Sequence, residues 1–182
     1  AVKVASCSLT DWPLLERIVQ LGKPTVVSTA GGAFEQIDQV VSFFEHRERS
    51  IAMMHCVGEY PTSASNLQLG QISQLIKRYP GVSVGYSTHE EPDNFSAVPI
   101  ALGLGARIFE KHVAVETEHF KKNDYSVTPA QMKAWLDSLS EAYQMLGETQ
   151  ERHKISAKEK QDLRQFQRGV FLKSAQPPGS VL

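Results

Sequence analysis

The sequence has little cysteine, almost no net charge and no long apolar run. Only Cys7 and Cys56 are cysteines among its 182 residues, which is too few for a disulfide scaffold and fits a reducing, cytoplasmic setting. They form no CxxC pair, so we interpret both as small residues of buried strands. The net charge of −1 excludes a broad attraction to nucleic acid or to an anionic membrane. No apolar stretch approaches the ~20 residues of a membrane span, and no signal-peptide pattern is present.

What is present is an ordinary globular composition, with 41% hydrophobic and 21% charged residues. This is enough for one sizeable core. A short β-branched run, a polar turn, an amphipathic helix and then glycine or proline recur along the chain. The pattern predicts five strands, at 2–6, 25–29, 51–56, 82–87 and 107–112. Near-continuous apolar strands that alternate with helices are typical of parallel βα units.

Helical periodicity predicts helices over 11–21, 34–46, 67–79, 94–104 and 128–147. The last begins with a capping box in which Thr128 is the N-cap and Gln131 the third helical residue. After Gly147 many charges follow, and "GVFLKSAQPPGSVL" predicts a strand and a turn. We therefore predict a barrel portion at 1–150, a linker or exposed helix at 151–168, and the beginning of a second domain at 169–182.

Two α/β architectures are compatible with five βα units. One is an open, doubly wound sheet, and the other is part of a TIM-type (β/α)8 barrel, which five units are too few to close. Every predicted strand ends in small polar or ionisable residues. Because ligands bind at the C-terminal ends of barrel strands, shared by all of them, we favour the partial barrel.

Two histidines lie at matched positions of successive strands. His89 and His112 lie at the ends of neighbouring strands, which lie about 4.8 Å apart, so both imidazoles could bind one divalent metal. The alternative for either one is a hydrogen-bonded structural role. His55, on the adjacent strand, is a third metal ligand, a substrate donor or a core residue, and the sequence leaves these open.

Lys3 lies within an otherwise apolar strand and must reach either an anion or solvent, because an unpaired buried ammonium is costly. With Ser28 and Ser87 as hydroxyl donors, it suits a phosphate or a carboxylate. Side chains alternate across a strand, so Glu110 and His112 share one face and Lys111 lies on the other. We therefore expect Glu110 to face the interior and Lys111 to face the helices.

Five segments of the sequence, taken together, are characteristic of one protein family. They occur in the order "KVASCSLTDWPLLERI", "GKPTVVSTAGG", "MHCVGEYPT", "VGYSTHE" and "FEKHV". In combination they resemble the sialic acid synthase family, which includes the N-acetylneuraminate, pseudaminate and legionaminate synthases. The resemblance covers about residues 2–147 and continues into 168–182, which look like the beginning of the family's antifreeze-like domain. It implies that this chain is the later part of a (β/α)8 barrel.

The resemblance also implies an activity, a metal and a set of site residues. The family condenses phosphoenolpyruvate with an N-acylated mannosamine-type aldose, releasing phosphate and forming a nonulosonic acid. His89 and His112 match its metal ligands, which usually hold Mn²⁺, with Mg²⁺ and Co²⁺ as alternatives. A homodimer is implied for the full-length protein. The positions that match phosphoenolpyruvate contacts are Lys3, Ser6, Ser28 and Ser87, and those that match substrate-side contacts are Tyr60 and Glu110.

Three departures from the family concern the sugar side. Ser8 stands where an acid is common, Gly58 stands where the family has Asn or Ser, and "FKKNDYSVTP" (120–129) replaces the "GPDH" loop. We therefore expect an altered aldose substrate or a slower enzyme. The alternatives are another metal-assisted aldol or phosphosugar enzyme on the same barrel, and a non-catalytic member that binds sugar or a partner.

Overall fold

The computed structural model describes residues 1–147 and 151–181. The chain divides into two compact units, Ala1–Gly147 and Glu148–Leu182, which we describe separately.

The first unit is built on one parallel sheet. Its strands are β1 (Val2–Val4), β2 (Thr25–Ser28), β3 (Ile51–His55), β4 (Ser83–Thr88) and β5 (Ile108–Lys111). They pair in chain order, each parallel to the next. A doubly wound sheet would reverse its strand order at a switch point, whereas a barrel adds strands in sequence. The prediction of a partial barrel is therefore confirmed.

The helices of this unit follow the strands as predicted, with shorter ends. They are α1 (Trp12–Gln20), α2 (Phe34–Glu45), α3 (Gly70–Arg78), α4 (Ala97–Gly103) and α5 (Pro129–Leu146). The capping box of α5 is confirmed, since Gln131 N–H donates to Thr128 Oγ1 at 3.3 Å and Thr128 N–H donates to Gln131 Oε1 at 2.9 Å. Asp11 caps α1 in a similar way by accepting from Leu14 N–H.

The core includes apolar side chains from both the strands and the helices. Its most deeply buried members include Leu15, Val27, Phe44, Met53 and Ile72. The apolar faces of α1, α2 and α3 contribute to it at the helical spacing that the sequence predicts. Burying these faces is the main source of stability in such a unit, and it fixes the strand ends that carry the polar residues.

The strand register separates two faces of the sheet. Ser87 is paired with Glu110, while Tyr86 is paired with Phe109. Phe109 packs on Trp135 of α5 with ring centroids 6.2 Å apart, so this second face meets the helices. Ser87 and Glu110 therefore share the opposite, inner face, because side chains alternate along a strand.

The described part of the second unit contains one helix, α6 (Ala157–Arg164), capped by Ser156 Oγ. The strand predicted at 169–182 is absent from residues 169–181. A strand needs a partner, and no described residue pairs with this segment. Its assignment to an antifreeze-like domain stays a prediction. Among the residues described, no helix is long and apolar enough to cross a membrane.

Candidate functional site

The imidazoles of His89 and His112 lie side by side after β4 and β5. Their ring centroids are 5.2 Å apart at an interplanar angle of 37°. His89 Nδ1 donates to the carbonyl of Val57 at 2.9 Å, which leaves Nε2 free to accept. Two imidazoles that each contact one ion at about 2.1 Å have centroids about 5 Å apart. The pair therefore fits a shared divalent ion, and the Val57 carbonyl holds one ring in the tautomer that such binding requires.

The surroundings of both imidazoles favour the neutral ring. Burial lowers the pKa of His89 below its usual range, and burial together with the neighbouring His89 lowers the pKa of His112. The neutral ring is the form that binds metal. Within residues 1–147 and 151–181, no three His, Cys, Asp or Glu side chains are grouped to hold an ion. An ion bound to this pair would therefore complete its coordination with water or substrate oxygens.

Lys3, Ser28 and Glu110 form a second polar cluster on the inner face. Lys3 Nζ donates to Ser28 Oγ at 2.8 Å and lies 3.1 Å from Glu110 Oε2. Ser28 is buried, whereas the side chains of Lys3 and Glu110 remain 36% and 42% exposed. Lys3 is thus paired with an anion, as its position predicts, and this anion is the carboxylate of Glu110. Because the pair is open to solvent, an anionic ligand can compete with Glu110 for the ammonium.

Cys56 lies beside the imidazole pair. Its Sγ lies 3.8 Å from His89 Nδ1. Burial raises the pKa of the thiol, and the hydroxyls of Ser87 and Ser6 partly offset that rise. Ser6 Oγ also accepts from the N–H of Ala30 at 3.0 Å. Ser6 and Ser87 therefore both lie at the site. The interpretation of Cys56 as a buried residue is confirmed. The sequence did not predict that Cys56 lies next to His89.

The prediction that Cys7 is a buried strand residue is wrong. It is exposed and belongs to the 3-10 helix Ser6–Ser8 that follows β1. The strand predicted at 2–6 ends at Val4 because the chain turns here, so Cys7 is not a buried strand residue.

His55 lies on the opposite face from the imidazole pair. It is paired with Tyr86 in the sheet, and the two rings stack with centroids 6.2 Å apart. Its Nε2 donates to the carbonyl of Leu67 at 2.8 Å, and burial lowers the pKa of the ring. This placement argues against the predicted role in binding substrate or metal and favours the core alternative.

A buried ion pair links the residues beside the two histidines. Glu90 follows His89, Lys111 precedes His112, and both charged side chains are 0% exposed. Lys111 Nζ donates to the Glu90 carbonyl at 2.9 Å and lies 3.4 Å from its Oε1. Trp135 Nε1 donates to the same oxygen at 3.3 Å. Lys111 faces the helices as predicted, but the sequence did not reveal its partner.

Two tyrosines surround the imidazole pair. Tyr60, predicted on the substrate side, has its ring 4.3 Å from that of His89, and burial raises its pKa. Tyr125 lies 5.1 Å from the His112 ring. Sequence reasoning missed Tyr125, because the loop that carries it has no periodicity to read. The one available signal was that this loop departs from the family pattern.

Comparison with known proteins agrees with this geometry. A profile of the NeuB family matches residues 1–151. The N-acetylneuraminate-9-phosphate synthase of Drosophila melanogaster is 34% identical over 136 residues, which cover 73% of this chain and 36% of that protein. The pseudaminic acid synthase of Campylobacter jejuni is 31% identical over 153 residues, covering 81% and 43%.

A crystal structure from Chromobacterium violaceum, provisionally assigned as spore coat polysaccharide biosynthesis protein E, is also similar. It superimposes with a TM-score of 0.87 at 48% identity, covering 93% of this chain and 50% of that one. The chain thus spans half the length or less of these relatives. With the profile matched over most of its length, the chain belongs to the NeuB family, the family of the sialic acid and pseudaminic acid synthases.

Proposed function

We propose that the complete protein condenses phosphoenolpyruvate with an N-acylated mannosamine-type aldose, forming a nonulosonic acid and releasing phosphate. The observation that carries this proposal is the imidazole pair, His89 and His112, beside the Lys3 cluster at the ends of one set of parallel strands. Two of the relatives named above are an N-acetylneuraminate-9-phosphate synthase and a pseudaminic acid synthase, which supports a product of this class. A resident manganese ion and a homodimer stay predictions from the resemblance, and a cytoplasmic setting stays a prediction from the low cysteine content.

The Lys3 cluster is suited to the anionic substrate. Phosphoenolpyruvate carries a phosphate and a carboxylate, and the ammonium of Lys3 and the hydroxyls of Ser6, Ser28 and Ser87 would donate to their oxygens. Glu110 Oε2 lies 3.1 Å from Lys3 Nζ. Binding of the anion exchanges one carboxylate partner for another, so Lys3 is never left as an unpaired charge.

The imidazole pair is suited to the aldose. A divalent ion held by Nε2 of His89 and a ring nitrogen of His112 would act as a Lewis acid toward the aldehyde oxygen. The residues of the two clusters would hold both substrates in one relative orientation. The bimolecular reaction then proceeds as an effectively unimolecular step.

The bond changes balance with one water molecule as the third reactant, and the proton that this water loses offsets the one that the aldehyde oxygen gains. C3 of phosphoenolpyruvate attacks the aldehyde carbon, the new C–C bond forms, and the aldehyde oxygen becomes a hydroxyl. Water adds at C2 and inorganic phosphate leaves with its bridging oxygen, so that C2 carries the new ketone or its hydrate. Lys3 and the serine hydroxyls stay in contact with the phosphate and carboxylate oxygens throughout, where negative charge accumulates.

We would test the proposal by measuring phosphate release from phosphoenolpyruvate with Mn²⁺ and a panel of 2-acylamino aldoses, using the complete gene product. Aldose-dependent release is expected. His112→Ala should lower it by at least about a hundredfold and should weaken Mn²⁺ binding, followed by electron paramagnetic resonance. His46→Ala is the matched control, because His46 is an exposed histidine at the end of α2.

Phosphate release that does not depend on an aldose, or that is the same in the His112→Ala and His46→Ala proteins, would contradict the proposal. Binding of Mn²⁺ without any release would favour a non-catalytic member of the family.

A further inference from the structure

Tyr125 contacts both imidazoles of the site and also Tyr60. Its ring is perpendicular to those of His112 and His89, at centroid distances of 5.1 and 5.7 Å. It meets the ring of Tyr60 at 5.1 Å, and Tyr60 in turn lies against His89. We call the rings of Tyr60 and Tyr125 the aromatic wall, because they border the imidazole pair together.

The loop that carries Tyr125 is fastened to the end of β5. The N–H of Val127 donates to the carbonyl of His112 at 2.9 Å. Asn123 Oδ1 accepts from the N–H of Ser126 at 2.8 Å. Ser126 and Val127 are buried. These bonds hold the backbone on one side of Tyr125 directly against the metal-site strand, so the fold itself places the ring.

The aromatic wall offers uncharged ring surface to a ligand that reaches the imidazoles. Tyr125 is partly exposed and Tyr60 is 57% exposed, so both rings keep surface that a ligand can cover. Lys122, on the same loop, donates its Nζ to the carbonyls of Asn123 and Ser126 and is thereby engaged with backbone. Ligand sites commonly hold the apolar part of a molecule on such aromatic faces, while a few polar groups orient it.

We propose that the aromatic wall selects the acceptor by packing against its N-acyl group, so that small acyl groups are accepted and bulky ones are rejected. This inference rests on the proposed function. An acceptor whose aldehyde oxygen reaches the imidazole pair has C2, which bears the acylamino group, next to the reacting carbon. The substituent on C2 therefore lies beside the rings that contact His89 and His112. A methyl group packs on a fixed ring, whereas a large acyl group collides with it.

The experiment compares Tyr125→Ala with Tyr125→Phe in the complete gene product. The acceptors are mannosamines that carry an N-acetyl or an N-phenylacetyl group, and the measured quantity is kcat/KM for each. Tyr125→Ala should lose about tenfold on the N-acetyl acceptor and shift the preference at least about tenfold toward the N-phenylacetyl one. Tyr125→Phe keeps the ring and should leave both values within about threefold of the original protein.

The readouts separate packing from other roles. An equal loss on both acceptors would show that Tyr125 only supports the fold, and a Tyr125→Phe protein as impaired as Tyr125→Ala would assign recognition to the hydroxyl. Either result overturns the inference. Mn²⁺ affinity should be unchanged in both variants, and its loss would place Tyr125 in support of the imidazoles instead. Absence of phosphate release from every protein, the original included, would mean that the proposed function has failed, and the acceptor inference would fall with it.

Discussion

At the scale of single residues, the pair Glu90–Lys111 shows how charge is handled beside the site. Both side chains are fully buried, yet each has partners, since Glu90 also accepts from Trp135 and Tyr86. Breaking such a pair leaves an uncompensated charge in the interior, which costs more than the pair itself contributes. The pair links the strand end that carries His89 to the strand end that carries His112. We therefore expect it to act mainly on the stability of the fold.

We therefore expect Glu90→Ala to lower the free energy of unfolding by about 3–5 kcal/mol, because it strands the Lys111 ammonium. The matched control is Asp137→Ala, which removes the exposed partner of Lys133 in α5 and should cost less than about 1 kcal/mol. Urea denaturation of the chain measures both. Similar small losses for the two variants would mean that Lys111 finds solvent when its partner is removed.

Residue-scale prediction succeeded where strand spacing decided the answer. His89, His112, Lys3 and Glu110 could be placed together because each lies within, at the end of or just after a predicted strand of one parallel sheet. The partner of Lys111 could not be predicted, because Glu90 reaches it only through the register of β4 against β5. Tyr125 could not be predicted either, because its loop carries no periodic pattern and its position depends on backbone bonds to His112.

At the scale of elements, the approach of β4 to its neighbours depends on Gly85. A Cβ added at Gly85 would lie 2.5 Å from the carbonyl oxygen of Ile108 and 2.5 Å from Met54 Sδ. The carbonyl belongs to the strand backbone and cannot move without displacing β5, which carries Glu110. The sequence identified this segment as a strand, but a glycine within a strand pattern does not reveal which neighbour approaches it.

Gly85→Ala should therefore destabilise the chain by about 1–3 kcal/mol through overpacking. Gly103→Ala is the matched control, because among the described residues no atom beyond its chain neighbours and the backbone of its own helix lies within 4 Å of a Cβ added there, at the end of α4. That change should be neutral or stabilising by up to about 1 kcal/mol, since it lowers the freedom of the unfolded chain. Thermal unfolding compares the two, and equal midpoints would contradict the argument from close approach.

At the scale of the whole molecule, the first unit has a sheet with two edges. Among the described residues, β1 pairs only with β2 and β5 only with β4. The match to this chain covers only 36–50% of the relatives, and a closed (β/α)8 barrel has no edges. All the candidate site residues lie on these five strands and the loops that follow them, so we expect the missing strands to complete the walls of the site and to cover its edges.

Hydrogen exchange provides a direct test of this partial barrel. In the 182-residue chain, we expect the outward amides of β1 and β5 to exchange quickly, because unpaired strand groups face solvent. The amides of β3, bonded on both sides, should be strongly protected. In the complete gene product, protection of β1 and β5 should rise toward that of β3, because each edge gains a neighbouring strand. Equal protection of the edge strands in both proteins would show that these five strands are not completed into a barrel, and would remove the structural basis for assigning the missing walls of the site to the rest of the protein.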